Sequence, residues 1–136
     1  LMTLGVRRGD RVAILSDPRP YGIAAMYAVE YIGAVAVMLN TSLNLPELLP
    51  LIEQTGAEYL LLGHADKGDG YFEAELDGAV LPECLRHIVS LRHNCGTYPV
   101  LGDLVPGDER AVRAAADAVT PQDTATILFT SGSTSP

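Results

Sequence analysis

Residues 124–136 read TATILFTSGSTSP and join a strand pattern to a hydroxyl-rich loop. Residues 125–129 (ATILF) form a short apolar, β-branched run, which is typical of a buried strand. In the loop that follows, Gly132 gives the backbone conformations that other residues rarely adopt. Neighbouring hydroxyls and successive backbone N–H groups can surround an anion without a fixed positive charge. The stretch therefore predicts a phosphate-binding loop at the end of a strand.

A flexible linker is the alternative interpretation of a Ser/Thr/Gly run, and composition alone leaves it open. The strand pattern in front of the run favours a binding loop. The sequence contains neither GxxxxGK(S/T) nor GxGxxG, so it supports neither a Walker-type NTPase nor a dinucleotide-binding fingerprint. A phosphate loop here must belong to another class.

Composition limits the chain to one globular α/β unit. Its 136 residues are 48% hydrophobic and 19% charged, which is enough to build a hydrophobic core. The net charge of −8 argues against a surface for nucleic acid or for an anionic membrane. The basic cluster Arg7, Arg8 and Arg11 is interpreted as a solvated turn.

Two cysteines and the lack of a signal-peptide pattern predict a reducing, cytoplasmic setting. The apolar run 20–39 raises the question of a membrane span. Glu30 lies in its middle, where a carboxylate costs about 2.5–3.5 kcal/mol on insertion scales, and glycines interrupt it. A helix followed by a strand explains the run better. Because the chain begins without methionine and stops inside a motif, we expect it to be a fragment of a longer protein.

Helix-like and strand-like segments alternate along the chain. The predicted strands are 11–16, 34–39, 58–62, 87–91 and 125–129, and the predicted helices are 20–32, 44–56, 71–76 and 109–119. The first helix is apolar on nearly every face and is expected to be mostly buried. Pro50 removes a hydrogen bond at a cost of about 3 kcal/mol, so the second helix should kink or start late. Parallel strands need such crossovers, which predicts an open, mainly parallel sheet with covering helices and a loop at its carboxyl edge.

Residues 130–134 (TSGST) resemble the opening of the phosphate-loop pattern S/T-S-G-S/T-T-G-x-P-K-G of adenylate-forming enzymes. These enzymes include acyl-CoA synthetases, adenylation domains of non-ribosomal peptide synthetases and luciferases. Residues 120–123 (TPQD) stand where the family has Pro-x-Asp, and residues 4–14 are similar to its L-G-V/I-x-x-G-D-x-V-A/G opening. Ser135 replaces the usual glycine, as in some ligases for short polar acids such as crotonobetaine and carnitine, and Met38 replaces a usual proline.

The resemblance implies a partial N-terminal AMP-binding domain over residues 1–136, from an ATP-dependent carboxylic acid–CoA ligase. The implied substrates and cofactors are a small carboxylic acid, ATP, Mg²⁺ and CoA, with a place in fatty acid metabolism, and an oligomer is possible. The residues implied to contact the ATP phosphates are Thr130, Ser131, Gly132, Ser133, Thr134 and Ser135. No catalytic residue and no metal ligand is assigned to this chain, and the fragment alone is expected to be inactive. The alternatives are a peptide synthetase-type adenylation domain, a non-catalytic nucleotide-binding relic and an unrelated α/β protein with a linker.

Four potential zinc ligands, Cys84, His87, His93 and Cys95, are spaced C-x₂-H-x₅-H-x-C. The first gap suits a zinc site, but the rest matches no common zinc finger. A nucleophilic Cys–His pair also lacks an orienting motif. We therefore expect purified protein to hold no stoichiometric zinc by elemental analysis, whereas one zinc per chain would contradict this interpretation.

Overall fold

The computed structural model describes residues 1–68, 70–92 and 97–130. Five strands form one sheet: β1 (Arg11–Leu15), β2 (Val35–Leu39), β3 (Tyr59–Leu62), β4 (His87–Ser90) and β5 (Thr126–Leu128). Their spatial order is β4-β3-β1-β2-β5, and every pair of neighbours is parallel. The predicted open parallel sheet is therefore confirmed.

Four α-helices cover the sheet, two on each face. They are α1 (Pro20–Tyr31), α2 (Leu45–Thr55), α3 (Tyr71–Leu76) and α4 (Glu109–Asp117). Alternate residues of β1 point to opposite faces: Ala13 and Leu15 pack in the core with α2 and α3, whereas Val12 and Ile14 pack with α1 and α4. Both faces of the central strands are thus buried, which explains their continuous apolar runs.

Helix α1 is less buried than its sequence predicts. Gly22, Ala25 and Val29 are buried against the sheet, but Tyr27 is 62% exposed and Tyr31 is 57% exposed. The prediction of a mostly buried helix is therefore wrong for the described chain, because no described element covers its outer face. No helix in the described ranges has the length and apolar character needed to cross a membrane.

Helix α2 begins at Leu45, as the predicted range 44–56 expects. Of the two effects expected of Pro50, a late start is therefore excluded, and a kink stays a prediction. Asn44 Oδ1 accepts a hydrogen bond from the Glu47 N–H (3.1 Å), and Glu47 Oε2 accepts one from the Asn44 N–H (2.9 Å). This capping box satisfies donors of the first turn, and such caps contribute about 0.5–2 kcal/mol. Together with burial of Leu48, the cap offsets the hydrogen bond that Pro50 removes.

The chain reverses its direction of travel across the sheet between β1 and β3. From β1 it crosses to β2 on one side, and from β2 it returns to β3 on the other side of β1. In open α/β sheets, ligands bind outside the carboxyl ends of strands at such a point. The packing there is tight: a Cβ added to Gly63 would lie 2.2 Å from Ser16 Oγ, and one added to Gly22 would lie 2.5 Å from it.

Gly63→Ala should therefore lower the free energy of unfolding by about 1–3 kcal/mol, because the new methyl group overlaps Ser16. Gly102→Ala is the matched control, since an added Cβ there meets no atom within 4 Å, and should change it by less than about 0.5 kcal/mol. Urea denaturation measures both. In a Ser16→Gly background, Gly63→Ala should lower the free energy of unfolding by less. An equal loss in both backgrounds would contradict the proposed overlap with Ser16.

Candidate functional site

The predicted phosphate loop begins at the carboxyl edge of the sheet. Thr130 follows the end of β5 and is exposed to solvent. Ser131, Gly132, Ser133, Thr134 and Ser135 lie outside the described residues. Their contact with phosphate therefore stays a prediction. The structure does show β5 and the segment before it, from which the predicted loop extends.

Strand β5 supports the loop from the edge of the sheet. It pairs with β2 through three residues, in the register Ala36↔Thr126, Val37↔Ile127 and Met38↔Leu128. The Ala36 N–H also donates to the Ala125 carbonyl at 2.8 Å. Leu128 is 70% exposed, whereas Ile127 and Phe129 are partly buried against the core, so apolar burial holds only one face of this strand. Side-chain contacts must supply part of its attachment.

A hydrogen bond joins β5 to helix α1. The Thr126 hydroxyl donates to Glu30 Oε1 at 2.5 Å, across 96 residues of sequence. Glu30 lies in the middle of the apolar run 20–39, where it is the only charged residue between Pro20 and Leu39. In the sequence, this carboxylate argues against a membrane span, but no pattern indicates its partner.

An ion pair holds the segment that leads into β5. Arg8 Nη2 lies 2.8 Å from each carboxylate oxygen of Asp123, and Arg8 Nε lies 3.3 Å from Oδ1. Asp123 Oδ2 also accepts a hydrogen bond from the Thr120 N–H at 2.7 Å. The Arg8 guanidinium first, and the Thr120 N–H second, lower the pKa of the Asp123 carboxyl below its ordinary value. The pair therefore stabilises the folded chain fully when the pH is above the pKa that Asp123 has in the unfolded chain. This stabilisation is lost as the pH falls through the lower pKa that Asp123 has in the folded chain.

All three arginines of the basic cluster are exposed, as the interpretation of a solvated turn expects, although Arg11 lies in β1 and each guanidinium also bonds to a specific group. Arg8 pairs with Asp123. Arg7 Nη1 donates to the Met2 carbonyl at 3.2 Å and to the Val6 carbonyl at 3.1 Å. Arg11 Nη1 donates to the Thr55 carbonyl at 2.5 Å. The cluster thus ties the turn before β1 to other segments of the chain.

A second polar group lies at the carboxyl ends of β1 and β3. The Thr41 hydroxyl donates to Asp17 Oδ1, while the buried Asp17 Oδ2 has no hydrogen-bond partner within the described ranges. Arg19, His64 and Arg92 line an adjacent cavity of about 320 Å³. No sequence pattern indicates this group, because its members come from separate loops.

Asp17, His64 and Asp66 have potential metal-ligand atoms that all lie within 4.8 Å of one another. However, Arg92 Nη1 lies 3.0 Å from His64 Nδ1, and Arg19 Nη2 lies 3.9 Å from Asp66 Oδ1. Two guanidinium groups beside the ligands oppose the binding of a cation. This cluster does not fit a metal site.

The structure tests the possible zinc ligands only in part, since His93 and Cys95 lie outside the described residues. The His87 ring stacks on Tyr59, with ring centroids 5.1 Å apart. Cys84 Sγ lies 3.9 Å from the Ile52 carbonyl, against α2. Both side chains have packing contacts, and the absence of structural zinc stays a prediction.

Comparison with known proteins extends over the whole chain. The family model for the AMP-binding enzyme matches residues 1–136. A 3-[(3aS,4S,7aS)-7a-methyl-1,5-dioxo-octahydro-1H-inden-4-yl]propanoyl:CoA ligase of Mycobacterium tuberculosis is 39% identical over 140 residues, which cover 98% of this chain and 26% of the relative. A crotonobetaine/carnitine–CoA ligase of Salmonella heidelberg is 33% identical over 145 residues, which cover 98% of this chain and 25% of the relative.

A solved structure shows the same fold. The N-terminal domain of FACL13 from M. tuberculosis superposes with a TM-score of 0.62 at 20% identity, covering 98% of this chain and 31% of that domain. The chain thus spans about a quarter of the length of the curated relatives that it matches. With a family model matched along its whole length and relatives above 30% identity, the chain belongs to the family of AMP-binding enzymes.

Proposed function

We propose that the protein containing this chain is an ATP-dependent carboxylic acid–CoA ligase. The observation that carries the proposal is that β5 ends at the carboxyl edge of a parallel sheet and that the TSGSTS run follows it, after Phe129, in the sequence. Its relatives support it, since their names describe CoA ligases. In this reaction a carboxylate oxygen attacks the α-phosphorus of ATP and pyrophosphate leaves. The CoA thiol then attacks the acyl carbon, AMP leaves, and the thiol proton is released to a base.

The contribution of this chain is to hold the β- and γ-phosphates. Hydroxyls of Thr130, Ser131, Ser133, Thr134 and Ser135, with backbone N–H groups near Gly132, would donate to the phosphate oxygens. Holding the β- and γ-phosphates also places the α-phosphorus in line with the attacking carboxylate oxygen. Such positioning lowers the activation barrier of the reaction. The run carries no fixed positive charge, which suits a loop that must also release pyrophosphate.

No Mg²⁺ step is assigned to this chain. By the family resemblance, the carboxylate that holds the metal would belong to the longer protein, as would the nucleoside contacts, the acyl pocket and a catalytic lysine near its C-terminus. The Asp17, His64 and Asp66 cluster does not replace it, because Arg19 and Arg92 lie against it. Mg²⁺ therefore enters the proposal through the longer protein alone.

The setting is part of the proposal. We infer a reducing, cytoplasmic location from the two cysteines, and small molecules in place of nucleic acid as partners from the net charge of −8. An oligomer is compatible with the exposed tyrosines of α1.

We expect the complete protein to exchange labelled pyrophosphate into ATP only when a suitable carboxylic acid is present. A panel of short polar, long-chain, polycyclic and aromatic acids identifies the substrate class, and comparing CoA with a phosphopantetheinyl carrier identifies the acceptor. The isolated 136 residues should form no AMP with any acid. A folded complete protein that exchanges with none of them would contradict the ligase and favour a non-catalytic nucleotide binder.

Gly132→Val should reduce the exchange rate of the complete protein by at least about 100-fold, because a β-branched side chain restricts the backbone that must surround the phosphates. Gly102→Val is the control, since Gly102 lies outside the proposed phosphate loop and an added Cβ there meets no atom within 4 Å, so it should keep activity. If the run were only a linker, Gly132→Val would leave exchange unchanged, and the loop assignment would be wrong.

A further inference from the structure

Three segments meet at the amino-terminal base of β5. The turn before β1 contributes Arg8, the turn before β2 contributes Gly33, and the segment before β5 contributes Val119 and Asp123. A Cβ added to Gly33 would lie 3.0 Å from Arg8 Cγ and 3.2 Å from Val119 Cγ2, so both side chains lie close over this glycine. The Gly9 N–H donates to the Gly33 carbonyl at 2.8 Å and joins the two turns. Arg8 thus reaches Asp123 from a backbone that is itself held in place.

The ion pair has the geometry of a specific attachment. The guanidinium contacts both carboxylate oxygens, which fixes direction as well as distance. Asp123 is also tied to its own turn, because its Oδ2 accepts hydrogen bonds from the N–H and the hydroxyl of Thr120. A shift of Arg8 would therefore move the whole turn, not one flexible side chain.

The other contacts of this strand lie downstream of Asp123. In the described chain, β5 pairs with β2 alone, over three residues; Ile127 and Phe129 pack partly buried against the core, and Leu128 is mostly exposed. The Thr126–Glu30 hydrogen bond holds its first residue. Residues 124–130 span about 20 Å when extended, so a small rotation at Asp123 becomes a displacement of ångströms at Thr130.

We propose that Arg8 and Asp123 are a positioning pair, which holds the base of β5 so that the loop after Phe129 meets the ATP phosphates. The pair touches no substrate, and its role in catalysis rests on the proposed function. Without the pair, the loop donors are displaced from the phosphates, whereas sites outside this chain are unaffected. The apparent KM for ATP should therefore change and that for the acid should not.

Two variants separate the ion pair from the packing around it. Arg8→Met keeps an unbranched side chain over Gly33 and removes the guanidinium. Asp123→Asn keeps an oxygen that can accept from the Thr120 N–H and removes the charge. The matched control is Arg113→Met, which breaks an exposed Arg113–Glu109 pair of 3.2 Å on α4. Arg8→Lys keeps the charge but not the two-pronged contact and should be intermediate.

The first measurement is hydrogen–deuterium exchange of the complete protein, which needs no activity. We expect the amides of residues 126–128 to exchange about five-fold faster or more in Arg8→Met and in Asp123→Asn. The amides of β1 and β3, and all amides in Arg113→Met, should exchange at the unaltered rate. Unchanged exchange at residues 126–128 in both variants overturns the proposal, whether or not the protein is a ligase.

The second measurement is the ATP dependence of pyrophosphate exchange in the complete protein. The apparent KM for ATP should rise on the order of ten- to a hundred-fold in Arg8→Met, with the KM for the acid within two-fold of the unaltered protein. Faster amide exchange with an unchanged KM for ATP would limit the pair to stability and overturn its positioning role. If the unaltered protein shows no exchange with any acid, the ligase proposal fails, and amide exchange alone decides whether the pair holds β5.

Discussion

Parallel pairing places the carboxyl ends of all five strands at one edge, and the rest of the molecule depends on this constraint. Parallel neighbours cannot be joined by tight hairpins, so each connection must carry the chain back over a face of the sheet. Helices α1 and α4 return on one face and α2 and α3 on the other, which buries β1, β2 and β3 on both faces. The loops at the carboxyl edge therefore do not have to pack in the core, and they can carry polar residues such as Asp17, Thr41 and Thr130.

Local pattern was enough to predict the strands, the helices and the parallel sheet. Each strand is a short β-branched or leucine-rich run between turn residues, and each helix except the last is bounded by a proline or a glycine near its ends. The start of α2 was predicted from residues 44–47, and the capping box of Asn44 and Glu47 explains why Pro50 does not delay it. The exposure of α1 could not be predicted. Its apolar sequence is compatible with burial on every face, but it does not indicate which faces another element of the fold packs against.

The supports of the candidate site were missed for a different reason. Arg8 and Asp123 are 115 residues apart, and Glu30 and Thr126 are 96 apart, so no periodicity or spacing connects them. In sequence, Arg8 is one of several charges in a turn, and Glu30 is an isolated carboxylate. Their partners become evident only when the sheet order brings β5 beside β2. The loop itself was predicted from its residue types, because hydroxyls, a glycine and a preceding strand occur together in a short stretch.

The late position of β5 also has a consequence for the order of folding. Strand β5 pairs with residues about 90 positions earlier, whereas β1 to β4 follow one another at shorter separations. Closing a long loop has an entropic cost that must be met before the contact contributes, so we infer that β1 to β4 assemble first. During synthesis, β2 would then be an edge strand with unpaired backbone groups until residues 126–128 have been made and can pair with it. Strand β5 would then be added to this edge after β1 to β4 have paired.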